Sequence, residues 1–479
     1  MLFHLTLRAK WVIVTITIVA FSMAIGASCA HGSFTIQDEE KLGREFYEQL
    51  KSKDILIHNP QVSDYIDKIG RQVLEHADDS PFSFTFSVID NSGINAFATP
   101  GGYIYVYDGL IKLAENESQL AGVIAHEIAH ATSRHIAEAI EKSKKVNMAA
   151  LLGILAGAFL GGGGEGAAAI TSFSMAAATT LNLKYTRDNE EEADRKGMRY
   201  LTASGYDGKA MLDFLKIMRR FEYFSNSIPS YFLTHPGTSD RIRYLDGLLQ
   251  MTYTQGGKST LIGGLNRIKT ILVLEQDNLS ESLKFFHNAL SEHPDNPDFT
   301  YGLAVVQGKL GQTDEALKNF LKALSQSPDD GRILRDLGIF YFNQGKAPDA
   351  LEPLKKAYYF NQNDATTILY LGRTYEATGS NFEALELYEK FQRDNPDDTA
   401  IYYSLAMIYG KTANPGESHY NFGIYFKKMN KDKSALFHFK AAQDYFPPYS
   451  DKGRFIQNEI DELESPPSPH RKPPPSPLS

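Results

Sequence analysis

Over residues 37–76 the apolar positions keep a helical spacing: Leu42, Phe46 and Leu50, then Val62, Ile66, Ile69 and Val73. The period then shortens to two. Phe82, Phe84, Phe86 and Val88 alternate with Ser83, Thr85 and Ser87, as in a strand with one buried face. Asp90-Asn91-Ser92-Gly93 is turn chemistry. Tyr103-Ile104-Tyr105-Val106-Tyr107, between Pro100-Gly101-Gly102 and Asp108-Gly109, reads as a second extended segment. Helical spacing resumes near Asn116. These changes predict an α+β domain over residues 34–255, mostly helical with a small sheet. Inside it, residues 148–160 and 166–183 carry no charge and flank the glycines 161–164. Neither reaches the ~20 apolar residues of a membrane span. They read either as a buried helical hairpin or as a flap touching a membrane or a hydrophobic client.

The second half repeats. Gly311, Gly345 and Gly379 stand 34 residues apart, as do Ala316, Ala350 and Ala384, and Phe320, Leu354 and Tyr388. Pro328 and Pro396 lie two periods apart, and Phe286, Ala289 and Pro294 precede Phe320, Ala323 and Pro328 by one. Small residues let paired helices approach closely, and aromatic residues fill the gap between them. The pattern resembles the tetratricopeptide repeat, which implies an all-α solenoid over residues 261–448 with four to five units. A shifted unit at Gly423, Ala435, Phe439, Ala442 and Pro447 follows an irregular stretch at 413–419. The tail, 464–479, is rich in Pro and Ser, has almost no core-forming residues and is expected to be disordered.

Composition narrows the class. The chain has 479 residues, and a 42% hydrophobic content excludes disorder throughout. Lys and Arg number 49 against 58 Asp and Glu, a net charge of -9 that offers no footprint for nucleic acid. Residues 1–30 read as an export segment: Arg8 and Lys10, an uncharged apolar run over 11–27, then small residues. Cleavage after Ala30, lipidation of Cys29 or retention as an N-terminal anchor would each leave the body of the chain outside a bacterial cytoplasm. Cys29 is the single cysteine, so the chain forms no intramolecular disulfide and no thiolate metal site.

The candidate chemistry centres on His126-Glu127-Ile128-Ala129-His130, in a segment (118–145) where Leu120, Val123, Ile124, Ile128, Ile136 and Ile140 keep helical spacing. Histidines at i and i+4 share one helical face and can reach one zinc ion. Zinc makes hydroxide available at neutral pH, and Glu127 is placed to take a proton and return it to a leaving amine. A third ligand is needed, and residues 188–194 offer acids. Asp188 with Glu191 could simply cap a helix, but Glu190 and Asp194 share a face, so one could bind metal while the other orients a histidine. His235, before Pro236, reads alone as a lone loop histidine. His135, five residues past His130, points elsewhere on a continuous helix and reads as structural.

HEIAHATSRH with the downstream NEEEAD resembles the HExxH zinc metallopeptidases of the HtpX and Ste24 type, the zincins. The resemblance implies one zinc per chain on His126, His130 and Glu190, with Glu127 catalytic and Asp194 behind the ligands. Residues 95–102 look like the family's segment leading into an active-site edge strand, which implies that Tyr103, Ile104, Tyr105, Val106 and Tyr107 hold an extended substrate through its backbone. The family's HP…R element falls on His235 and Arg241. His235 is then a fourth ligand that keeps the enzyme latent, or a stabiliser of the oxyanion; Arg241 anchors the loop or binds near the site. Export signal, zincin and repeats together resemble Gram-negative periplasmic proteases that degrade stalled outer-membrane proteins and assist their assembly. That implies misassembled envelope proteins as substrates, a partner on the repeats such as the outer-membrane assembly machinery, and peripheral membrane contact. The rival expectation is a chaperone or adaptor acting through its repeats, with a largely latent zinc site.

Overall fold

The computed structural model describes residues 34–142, 148–160, 185–225 and 229–465, in two compact units that divide after Leu272. The export segment with Cys29, the uncharged stretch at 166–183 and the Pro-rich tail from 466 lie outside the described residues.

The first unit is built on a three-stranded sheet. Helices α1 (Ile36–Ser52) and α2 (Pro60–Leu74) precede it, the first opened by a Thr35–Asp38 capping box and the second by Asn59 with Pro60. Strands β1 (Thr85–Ile89), β2 (Ala96–Thr99) and β3 (Tyr103–Tyr107) follow. The order is β1-β3-β2; β3 runs parallel to β1 and antiparallel to β2, pairing Ser87 with Tyr105 and Phe97 with Tyr105. The alternation seen in sequence sorts onto two faces. Phe86, Val88, Ile104 and Val106 join one core with α2, while Phe97, Tyr105 and Tyr107 join a second with α1.

This order corrects one expectation. Tyr103–Tyr107 is the central strand, with both backbone edges already paired, so it has no edge to offer a peptide. The outer position belongs to β2. Tyr107 N–H donates to Asn95 O, so by antiparallel alternation Ala96 and Ala98 turn their backbone groups away from β3.

Past the sheet come α3 (Asp108–Leu113), α4 (Glu117–Thr132), α5 (His135–Lys142) and α6 (Met148–Phe159). The first uncharged stretch thus forms α6, whose Leu151, Leu155 and Phe159 pack into the second core, Phe159 stacked on Phe97 at 4.4 Å. Then follow α7 (Arg187–Ala203), α8 (Lys209–Ser225), α9 (Ser230–Thr234), α10 (Thr238–Met251) and α11 (Leu265–Leu274). Buried Glu117, at the start of α4, accepts from the Tyr65 and Tyr206 hydroxyls and from the backbone N–H groups of Leu261, Ile262 and Gly263. Those bonds hold the chain where Leu265, Ile268 and Leu272 of α11 enter the first unit's core. No helix among the described residues is long and apolar enough to cross a membrane.

The second unit is a stack of antiparallel helices: α12 (Leu279–Glu292), α13 (Pro297–Lys309), α14 (Thr313–Gln326), α15 (Gly331–Asn343), α16 (Ala347–Phe360), α17 (Ala365–Ala377) and α18 (Asn381–Asp394). It ends in α19 (Thr399–Lys411), α20 (Pro415–Lys428), α21 (Asp432–Gln443) and α22 (Asp451–Glu464). The recurring glycines 311, 345 and 379 turn the chain between paired helices at φ 76°, 72° and 87°. Ala413, one period on, makes the same turn at φ 57°. The stretch that reads as irregular therefore keeps the period: α19 and α20 begin 34 residues after α17 and α18.

Candidate metal centre

Helices α4, α7 and α10 and the loop between α9 and α10 meet at the centre of the first unit. α4 is buried along nearly its whole length, its polar residues included. It presents His126 and His130 one turn apart, with their Nε2 atoms 2.9 Å from each other. α7 lies against it so closely that a Cβ on Gly197 would stand 3.1 Å from the His126 Cα. This approach brings Glu190 to both rings: its Oε2 is 3.5 Å from His126 Nε2 and its Oε1 is 3.5 Å from His130 Nε2. α7 opens at Thr186, which forms a capping box with Asn189, and not at Asp188 as the acidic run suggests.

The loop supplies His235. Its N–H donates to Tyr231 O at the close of α9, and Gly237, at φ 84°, turns the chain into α10. The His235 ring faces two ways. Nδ1 is 3.1 Å from Glu190 Oε1 and 3.4 Å from His126 Nε2, while Nε2 is 3.5 Å from Glu127 Oε1. His126, His130, Glu190 and His235 each offer a ligand atom, all within 4.8 Å of one another, and all four residues are buried. Contacts of 2.9–3.5 Å between these atoms fit a small divalent cation. A tetrahedral sphere with bonds of about 2.0–2.1 Å has edges near 3.4 Å. Beside it, both carboxylate oxygens of fully buried Glu127 lack a hydrogen-bond partner, a costly arrangement without a polar occupant.

Charge is distributed around the cluster. Asp194 Oδ1 lies 3.0 Å from His126 Nδ1, and Arg241 grips Asp194 with Nε at 2.9 Å and Nη2 at 2.7 Å while its Nη1 reaches Glu190 Oε2 at 2.8 Å. Burial is the largest single influence and would raise both carboxyls, but Arg241 and the neighbouring histidines together outweigh it, holding Asp194 below, and Glu190 well below, their usual values. Burial raises the Glu127 carboxyl, opposed by His235 and His126. Burial and Arg241 disfavour charge on His126, yet hydrogen bonds to Asp194 and Glu190 raise it to about 9. For His130, burial and the neighbouring His126 push well below the usual value.

Several residues at the centre were not picked out by sequence. The long helix expected over 118–145 is broken: α4 ends at Thr132, Arg134 sits in the left-handed region at φ 56°, and α5 starts at His135. The break swings His135 back, its Nδ1 2.8 Å from His130 Nδ1, so it contacts the site instead of pointing elsewhere. Tyr185 stacks on His130 at 3.7 Å, and Tyr231 stacks on His235 at 4.2 Å. A lone tyrosine carries no periodic signal, and Arg134 gives no hint of a left-handed turn. The side chains of Tyr103–Tyr107 do not enter the cluster, which is formed by α4, α7 and the His235 loop.

Residues 60–249 match peptidase family M48, and residues 273–318, 306–365 and 366–398 match tetratricopeptide-repeat models. The chain is similar to the beta-barrel assembly-enhancing protease of Escherichia coli, 35% identical over 215 residues, covering 44% of this chain and 44% of the relative. The same-named protein of Yersinia pestis is 33% identical over 219 residues, covering 46% and 45%. The mitochondrial metalloendopeptidase OMA1 of Schizosaccharomyces pombe is 26% identical over 212 residues, covering 43% and 60%. The chain thus spans less than half the length of the bacterial relatives it matches. A solved repeat protein, YrrB, aligns over 41% of this chain and 97% of its own at 19% identity, with a TM-score of 0.32.

Proposed function

From a peptidase family M48 domain followed by tetratricopeptide repeats, we propose that this chain acts as a zinc-dependent endopeptidase of the bacterial cell envelope. The observation that carries the reading is the buried His126, His130 and Glu190 cluster with the Glu127 carboxylate beside it, which makes no hydrogen bond. His126, His130 and Glu190 hold one zinc ion per chain, which when bound supplies a Lewis acid and lowers the pKa of water to about 7. Glu127 takes a proton from the attacking water and returns it to the leaving amine. Asp194 fixes the His126 ring, and Arg241 anchors the His235 loop to α7 through Asp194 and Glu190.

His235 sits between Glu127 and the other three groups. There it serves as a fourth ligand and keeps water away from Glu127, so the protease is latent until the loop between α9 and α10 that carries His235 moves. Its other role, stabilising the oxyanion, requires the same ring to leave the cluster first. An extended substrate adds to the outer edge of β2, through the backbone of Ala96 and Ala98.

The bacterial relatives are named for beta-barrel assembly, which supports a place in the cell envelope; on our reading residues 1–30 export the chain to the periplasm, and misfolded or stalled outer-membrane proteins are its substrates. The repeats recruit clients or assembly machinery, with chaperone activity in addition. A second reading, a repeat adaptor with a largely latent zinc site, is favoured by the seated position of His235.

The test is degradation of an unfolded outer-membrane barrel protein by wild type, Glu127→Gln and His235→Ala, each loaded with zinc. Loss of cleavage by a hundredfold or more in Glu127→Gln, on the order expected for a general base, supports the peptidase. Activity confined to His235→Ala supports latency. No cleavage by any of the three overturns the peptidase in favour of the adaptor.

A further inference from the structure

The two histidines of α4 are oriented differently. His126 meets a carboxylate on its far nitrogen, with Asp194 Oδ1 3.0 Å from Nδ1. His130 does not. Its Nδ1 lies 2.8 Å from the Nδ1 of His135, a residue 4% exposed. The other nitrogen of His135, Nε2, is 3.5 Å from Glu192 Oε2. Glu192 is held in turn by Ser133 Oγ at 3.0 Å and Lys196 Nζ at 2.8 Å.

Counting protons orders this chain of groups. A neutral His130 that gives Nε2 to a metal carries its single ring proton on Nδ1 and must donate it. His135 Nδ1 is then the acceptor, and a neutral His135 carries its own proton on Nε2, aimed at Glu192. α7 thus provides Glu190 for the cluster, Asp194 for His126 and Glu192 for the His130 branch. We propose that His135 is a positioning residue for the metal, accepting the Nδ1 proton of His130 so that His130 Nε2 faces the ion, with Glu192 fixing the tautomer of His135. The left-handed turn at Arg134 is what allows it: on an unbroken helix, residue 135 would lie five positions past His130, on another face.

The inference rests on the reading that His130 binds zinc, and its test separates the two. Zinc affinity is measured by competition with a chromophoric chelator for wild type, His135→Phe, His135→Asn and His130→Ala. Phe keeps the ring and its packing but accepts no proton; Asn puts a carbonyl oxygen near where Nδ1 stood. We expect His135→Phe to bind zinc ten- to a hundredfold more weakly, the usual cost of losing a group behind a ligand histidine. His135→Asn should stay within a few-fold of wild type. In the zinc-loaded wild type, nitrogen NMR should show His130 protonated at Nδ1, a readout that needs no variant to fold. Undiminished affinity in His135→Phe, equal losses in Phe and Asn, or a bare His130 Nδ1 would each overturn the proposal. If His130→Ala binds zinc as tightly as wild type, the metal-site reading itself falls, and the positioning role with it.

Discussion

Arg241 holds Asp194 by two parallel hydrogen bonds, Nε to Oδ2 at 2.9 Å and Nη2 to Oδ1 at 2.7 Å, inside a protein core where both side chains are buried. The fork geometry matters because a lysine cannot reproduce it. Removing the cation leaves two buried carboxylates, Asp194 and Glu190, without their compensating charge.

Arg241→Ala should therefore destabilise the first unit by about 3–5 kcal/mol, the cost of breaking a buried pair from one side. Arg241→Lys should recover only part of it. Urea unfolding followed by circular dichroism measures both. A loss under 1 kcal/mol for the alanine variant would mean that water reaches the carboxylates.

Gly197 tests how tightly α4 and α7 must pack. Alanine is the better helix former by about 1 kcal/mol. Its Cβ, however, would stand 3.1 Å from the Cα and N of His126 and 3.2 Å from the Ala125 carbonyl carbon, all backbone atoms that cannot swing away. Overpacking of this kind costs about 1–3 kcal/mol, so Gly197→Ala should be destabilising on balance. Because the same contact sets Glu190 against His126, zinc affinity should fall as well. Chelator competition beside a denaturant melt checks the two effects together.

The parts of this centre that sequence reveals are those fixed by one helix. Histidines at 126 and 130, and acids at 190 and 194, share faces by helical geometry alone, and the structure brings all four side chains together. Strand order is a different kind of fact. The alternation at 103–107 marks a strand, but whether it lies at the edge depends on β1 and β2 folding onto both its sides. His135 was hidden for a local reason: its position follows from a left-handed Arg134, at a residue type with no preference for that conformation. The repeats were legible through small residues and aromatics, until an alanine replaced the turn glycine.

His438 makes the second unit sensitive to acid. Its ring stacks on Phe426, lies 5.0 Å from Phe422 and sits with Nδ1 2.9 Å from His419 Nδ1. Burial first, then the neighbouring His419, lowers its pKa below the usual 6.5. A histidine depressed in the folded state takes up its proton more readily when unfolded. Its contribution is therefore fully present above about pH 6.5 and is lost as pH falls through the lower folded value. Melting curves between pH 5 and 7.5 should show the wild type losing stability toward acid more steeply than His438→Phe, and equal slopes would contradict this.

Ala413 occupies a conformation that costs an L-residue about 1–2 kcal/mol, at φ 57°, where its three periodic counterparts are glycines. Glycine removes that cost but gives up about 0.5–1 kcal/mol through the greater freedom of the unfolded chain. The difference favours Ala413→Gly by roughly 0.5–1 kcal/mol. The reverse change, Gly345→Ala, should destabilise by a comparable amount, since a Cβ there meets no atom within 4 Å and the backbone conformation at φ 72° is the only penalty. Urea midpoints should move in opposite directions for the two variants, with the denaturant slope unchanged. A rise for both, or a fall for both, would mean that the turn conformation does not set the stability of these repeats.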